Sequence, residues 1–173
     1  QEGLSRVTLG NFLIKRVVYE IQEELPHIKN FGTLSPIPGF AEWFSYLEEN
    51  KIKNILGNLT NQNVSFLKLK NLKIGDNRII ENKDAIMKLV AHYIVNEKNQ
   101  KGLPANDVSR FHLGNGAIVD DIVVNANVSE AGFERSFGVM VNYLYELKNI
   151  EKNHEYYMNN NQVIVSDKIK KCL

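Results

Sequence analysis

Along residues 9–24 apolar positions return every three or four residues: Leu9, Phe12, Leu13, Val17 and Ile21 fall opposite Lys15, Glu20 and Gln22. That spacing predicts an amphipathic helix, with Thr8 placed to cap its start and Pro26 to end it. Residues 28–34 then read as a short buried strand, because Pro36 and Pro38 cannot donate ladder hydrogen bonds and bring a strand to a halt. The stop leaves the Ser35 hydroxyl at an exposed strand end. Gly39 opens a second helix over residues 40–49, rich in aromatics (Phe40, Trp43, Phe44, Tyr46).

Residues 50–82 carry Asn and Lys with scattered Ile and Leu, which predicts irregular chain with short helices. Periodicity resumes over residues 83–97, with Ile86, Leu89, Val90, Tyr93 and Ile94 on one helix face. A polar turn follows over residues 98–105, and Asp107 is the expected cap of a short helix running into Phe111 and His112. Residues 118–125 and 137–147 predict two facing strands, with Gly132 in the turn of a hairpin between them, and residues 150–173 a helical tail. Helices mixed with strands in this order predict an α/β fold with a mixed sheet. No repeat or low-complexity linker marks an internal boundary.

Composition narrows the classes. A chain of 173 residues suits one domain with a sizeable core. A net charge of +1 supplies no global field for collecting nucleic acid or an anionic membrane, so neither is an expected partner. Lys15-Arg16 and the tail Lys168–Lys171 are local basic patches able to meet a phosphate. The single cysteine, Cys172, excludes an internal disulfide framework and fits a reducing compartment. No apolar run approaches the ~20 residues of a membrane helix. The chain opens on Gln1 without a signal-peptide pattern, and we expect that it begins inside a longer sequence or was processed.

Candidate chemistry concentrates in two runs. The first is Phe31-Gly-Thr-Leu-Ser-Pro-Ile-Pro-Gly-Phe40; the second is Arg110-Phe-His-Leu-Gly-Asn-Gly-Ala117, where one histidine stands among glycines and an asparagine. A serine at a strand end and a histidine at a glycine-rich turn form an acid–base pair if the fold brings them together. His27, His92 and His154 sit at a helix exit, within a helix and in the tail, and are weaker candidates. No His, Cys and carboxylate cluster has metal-ligand spacing, so no metal is expected.

Together with Gly138-Val-Met-Val-Asn-Tyr-Leu-Tyr-Glu-Leu147, Asn153-His-Glu-Tyr-Tyr157, the opening Gln1-Glu-Gly-Leu4 and the Phe12–Val17 helix, these runs resemble malonyl-CoA decarboxylases over almost the whole chain. The resemblance is weakest across residues 50–82. It implies a GNAT-like acyl-CoA-binding fold, of which this chain would be the C-terminal part of the catalytic domain. It implies decarboxylation of malonyl-CoA to acetyl-CoA and carbon dioxide with no cofactor beyond the CoA of the substrate. Ser35, His112 and Tyr145 would be the catalytic residues. Thr8, Gly10 and Asn11 would belong to the turn that receives the CoA pyrophosphate, where a helix start supplies free amides. Asn115 and Gly116 would shape the turn beside His112, with Asn115 bonding the substrate carboxylate or His112. This family usually carries glutamate where Thr8 stands, so the chain departs from its pattern there.

Two other readings stay open at this level: an N-acyltransferase on the same fold, and a non-catalytic piece needing further sequence to complete its sheet. Malonyl-CoA is the expected partner, with self-association or pairing with the missing N-terminal part. The cytoplasm is the expected compartment, with mitochondrion and peroxisome as alternatives.

Overall fold

The computed structural model describes residues 9–62, 69 and 71–173. Helix α1 (Leu9–Glu24) forms where the spacing places it. At Val17 it departs from the expected stripe: Ile14 packs on the core and Val18 is buried, whereas Val17 is 43% exposed; the side chains of Leu9, Phe12 and Leu13 lie outside the described ones. Ile14 and Val18 stand four apart, on the side of the helix neighbouring Val17. Strand β1 (Phe31–Pro36) starts later than expected and runs through Ser35 to Pro36. It is only half buried, with Leu34 50% exposed. A proline closes it because β1 lies at the sheet's edge in the order β1-β3-β2 and needs no outward N–H donor there.

Helix α2 (Phe40–Tyr46) ends before residue 49 because Leu47 turns extended and buries its side chain. Helix α3 (Glu49–Leu56), a 3-10 stretch (Gly57–Gln62) and the short α4 (Arg78–Glu81) supply the expected short helices. Helix α5 (Lys83–Val95) buries Ile86, Leu89, Val90, Tyr93 and Ile94 as its periodicity predicts. It also buries Ala85 and Ala91, which makes it a core helix rather than a surface one. Helix α6 (Asp107–Gly114) is capped by Asn106, not Asp107: the Asn106 Oδ1 accepts the Ser109 amide at 2.9 Å.

No hairpin joins the last two strands. Between β2 (Ile118–Val123) and β3 (Met140–Tyr145) lies helix α7 (Glu130–Ser136), capped by Ser129 and left through Phe137 at φ 54°. That left-handed residue explains why β3 begins at Met140 and not at Phe137. The two strands still pair antiparallel. Helix α8 (Ile150–Asn160) gives way to extended chain, where Val165 makes an isolated parallel bridge with Val119, before α9 (Asp167–Lys170). The tail is therefore two helices, and among the described residues the sheet's parallel component is that single bridge beside three antiparallel strands.

The central strand β3 positions the candidate residues. Val141, Tyr143 and Tyr145 are all buried on one of its faces, and the register sets Ser35 opposite Val141, Thr33 opposite Tyr143 and Phe31 opposite Tyr145. Alternation along each strand therefore puts the Ser35, Thr33, Tyr143 and Tyr145 side chains on one side. Each fully buried aliphatic side chain of the core beneath, Val141 and Ile122 among them, contributes about 1.5–3 kcal/mol. Among the described residues no helix is long and apolar enough to cross a membrane.

Candidate active site

Helix α6 packs over that face of the sheet and delivers His112 to it. The His112 Nε2 lies 3.0 Å from the Ser35 Oγ, and its Nδ1 lies 2.7 Å from the Tyr145 hydroxyl. The imidazole stacks on the Tyr143 ring, with centroids 4.3 Å apart and planes 16° from parallel. Ser35 in turn donates to the Thr33 Oγ1 at 3.1 Å. One donor order satisfies all of these contacts: Tyr145 O–H to Nδ1, Nε2–H to Ser35, and Ser35 O–H to Thr33. That order assigns the Nε2–H tautomer to His112.

The electrostatics follow from burial. Ser35 does not sit at an exposed strand end as expected, because the His112 ring covers it; the two residues are each only 6% exposed. Burial pushes the imidazole down to about 4; its hydrogen-bond partners are hydroxyls, and among the described residues no carboxylate stands by to hold a proton on it. Burial also pushes the Tyr143 and Tyr145 phenols well above the ordinary tyrosine range. Tyr145 therefore remains a neutral phenol, able to donate to a neutral imidazole or accept from a charged one. A carboxylate at that position would favour the charged form; a phenol leaves His112 free to change state.

Both ends of α6 are held. At its start, the Asn106 Nδ2 donates to the Pro38 carbonyl at 2.8 Å, and the Tyr93 hydroxyl donates to the same oxygen at 3.3 Å. Gly39 makes this approach possible: its φ is +82°, and a Cβ there would stand 2.8 Å from the Tyr93 hydroxyl. At its end, α8 clamps the turn: the His154 Nδ1 lies 2.7 Å from the Gly114 carbonyl, and the Asn153 Nδ2 donates to Gly116 at 3.2 Å. Gly116 has φ +80°, and a Cβ would meet the Ile150 carbonyl oxygen at 2.2 Å. Glycine is required there for α8 to close on the turn.

The structure thus brings together Ser35, His112 and Tyr145. Asn115 is fully buried in the turn; its amide donates to the Phe111 carbonyl at 2.6 Å, and its Oδ1 has no hydrogen-bond partner among the described residues. Gly10 and Asn11 belong to the first turn of α1, while Thr8 lies outside the described residues. Of the other histidines, His92 lies against Trp43 and Glu97, and His154 serves the turn. A cleft of about 400 Å³ lined by Leu56, Asp84, Met87, Lys88, Lys171 and Cys172 includes neither Ser35 nor His112 in its walls. Sequence reasoning missed Tyr143 as the stacking partner, and Asn106 and Ser109 behind it. The alternation that links Tyr143 with Tyr145, and the Asn-x-x-Ser cap spacing, were the available signals.

The chain is similar to known proteins along its whole length. The family described as "Malonyl-CoA decarboxylase C-terminal domain" matches residues 1–173. Two proteins named "Malonyl-CoA decarboxylase, mitochondrial", from the goose Anser anser anser and from Rattus norvegicus, are 33% and 34% identical over 98% of this chain. The chain spans 37% and 38% of their lengths. The crystal structure of malonyl-CoA decarboxylase from Cupriavidus metallidurans superposes with a TM-score of 0.84 at 38% identity, covering all of this chain and 46% of that one. The Rhodopseudomonas palustris enzyme gives 0.78 at 36% identity, covering 99% of this chain and 39% of that one. The fold is accordingly the GNAT-like α/β fold of those structures. With a Ser–His–Tyr contact on a GNAT-like sheet and a family match from end to end, this chain belongs to the malonyl-CoA decarboxylase C-terminal domain family.

Proposed function

We propose that the protein decarboxylates malonyl-CoA to acetyl-CoA, with Ser35 and His112 as the reacting pair and Tyr145 as the partner of the imidazole. The observation that carries this reading is the 3.0 Å contact between Ser35 Oγ and His112 Nε2, two side chains that are each buried to within 6% of full cover. The thioester is the electron sink, so the route needs no prosthetic group. The bond between the methylene carbon and the carboxylate breaks, carbon dioxide leaves, and the electron pair becomes an enolate whose charge rests on the thioester oxygen. Hydrogen-bond donors held at that oxygen lower the barrier, and the Ser35 hydroxyl is suited to the task once it rotates away from Thr33. The carbon then takes one proton.

His112 is the proton source in this reading. In the free protein the imidazole is neutral at neutral pH. An anionic carboxylate and a growing enolate beside it raise its affinity for a proton. It gains that proton from solvent as substrate loads and gives it to the enolate carbon, directly or through Ser35. Tyr145 accepts from Nδ1 while the ring is charged and donates to it afterwards, so the ring keeps its orientation through the cycle. The experiment is carbon dioxide release from malonyl-CoA by the natural protein with no amine present. Release supports decarboxylation. Acyl transfer to an added amine without release would replace it with the transferase reading.

Cytoplasmic action belongs to the same proposal, with mitochondrion and peroxisome as its alternatives; the lone cysteine fits any reducing compartment. Cell fractionation decides it. Recovery of the protein in a mitochondrial or peroxisomal fraction would overturn it.

A further inference from the structure

Asn106 is 1% exposed and lies between the two halves of the site. Its Nδ2 donates to the Pro38 carbonyl at 2.8 Å, three residues beyond Ser35. Its Oδ1 accepts both from the Ser109 amide at 2.9 Å and from the Ser109 hydroxyl at 3.1 Å. The amide's orientation is forced, because a backbone N–H only donates and a carbonyl only accepts. Ser109 Oγ is 2.7 Å from the Tyr143 hydroxyl, and the Tyr143 ring lies flat against the His112 imidazole. With the Ser109 hydroxyl committed to Asn106, the Tyr143 phenol is the donor in its contact with Ser109.

These contacts close a circuit. It runs from Ser35 along the Pro36-Ile37-Pro38 backbone to Asn106, through Ser109 to Tyr143, across the stacked rings to His112, and back to Ser35 by the 3.0 Å contact. Ser35 and His112 belong to elements distant in sequence, so something must set their separation. We infer that Asn106 is the positioning residue of this site: it ties the loop that carries Ser35 to the stacked ring that orients His112, and thereby fixes the distance between the reacting groups. It touches neither group, so its action is through geometry alone. Misplacement of about 1 Å at such a pair is enough to cost orders of magnitude in rate. Only an amide serves, because the residue must donate on one side and accept on the other. Aspartate keeps the helix cap and loses the donor to Pro38; alanine loses both.

This inference rests on the Ser35–His112 reading above, and its test keeps the two apart. The variant is Asn106→Asp in the natural protein, read out by steady-state kinetics on malonyl-CoA and by the nitrogen NMR spectrum of the His112 imidazole. Turnover should fall about tenfold or more with KM changed less than about twofold, and the imidazole should lose its single Nε2–H tautomer pattern. A merely structural cap would not move the ring nitrogens, since aspartate caps as well as asparagine does. An unchanged imidazole spectrum overturns the inference, whatever the kinetics show. Should the native protein release no carbon dioxide, the decarboxylase reading falls while the imidazole spectrum still decides the role of Asn106. If Asn106→Asp does not fold, Ser109→Ala cuts the same circuit between Asn106 and Tyr143, and it is judged by the same spectrum: altered ring nitrogens support the inference and unaltered ones overturn it.

Discussion

Ser35 on strand β1 and His112 on helix α6 share a buried hydrogen bond of 3.0 Å although 77 residues separate them in the chain. Ser35 is set by the strand register opposite Val141, and His112 by a helix capped at Asn106 and clamped beyond Gly114. Neither element alone makes the pair; the central strand β3 aligns both.

Ser35→Ala removes the hydroxyl and leaves Nε2 without its partner. Turnover of malonyl-CoA should fall by roughly a hundredfold or more. The cost in stability should be about 1 kcal/mol, which is a few degrees in Tm for a chain of this size. Carbon dioxide release and a thermal melt on the same preparation check both. Native turnover in the variant would remove Ser35 from the chemistry.

Stability should depend on His112 in a defined direction. The folded imidazole titrates at about 4, below its ordinary value of 6.5. Between these two values the unfolded chain binds more protons than the folded one, so the free energy of unfolding falls as pH drops through that window. The contribution is complete above about 6.5, and about 3 kcal/mol of it is lost by about pH 4. Urea unfolding of native protein and His112→Asn across this range measures it. Parallel pH curves for the two proteins would show that His112 carries no such linkage.

Much of this was legible in the residues themselves. The prolines after Ser35 marked a strand end, and the Gly114-Asn-Gly116 turn marked a place where a histidine is held at a corner. The helices of residues 9–24 and 83–95 were visible because apolar spacing persists over several turns. The hairpin reading failed because α7 is only seven residues long and its cap, Ser129, looks like any turn serine without its partner at Gly132. Asn106 and Asp107 are both good capping residues, and only the accepted Ser109 amide tells them apart. The stack of Tyr143 on His112 depends on a strand and a helix meeting in space, and no local pattern encodes that.

Tyr145→Phe keeps the ring and deletes the Nδ1 partner. Burial leaves no water to replace it, so an unpaired nitrogen should cost about 1–3 kcal/mol. Turnover should fall about tenfold, with KM nearly unchanged. Kinetics over a range of malonyl-CoA concentrations distinguish this from a binding role, in which KM would rise and kcat would hold.

Gly116→Ala places a methyl 2.2 Å from the Ile150 carbonyl oxygen at a φ of +80°. Helix α8 must back away from the turn, and Tm should fall by several degrees, corresponding to about 1–3 kcal/mol. A melt at the native temperature would show that the turn relaxes without α8.

The most direct test of the proposed chemistry is release of labelled carbon dioxide from malonyl-CoA carrying the label in its free carboxyl, compared between the natural protein and its His112→Asn variant at equal, verified folding. Rapid release by the natural protein and a loss of roughly a hundredfold or more in the variant are expected. Equal release by the two proteins would contradict the account.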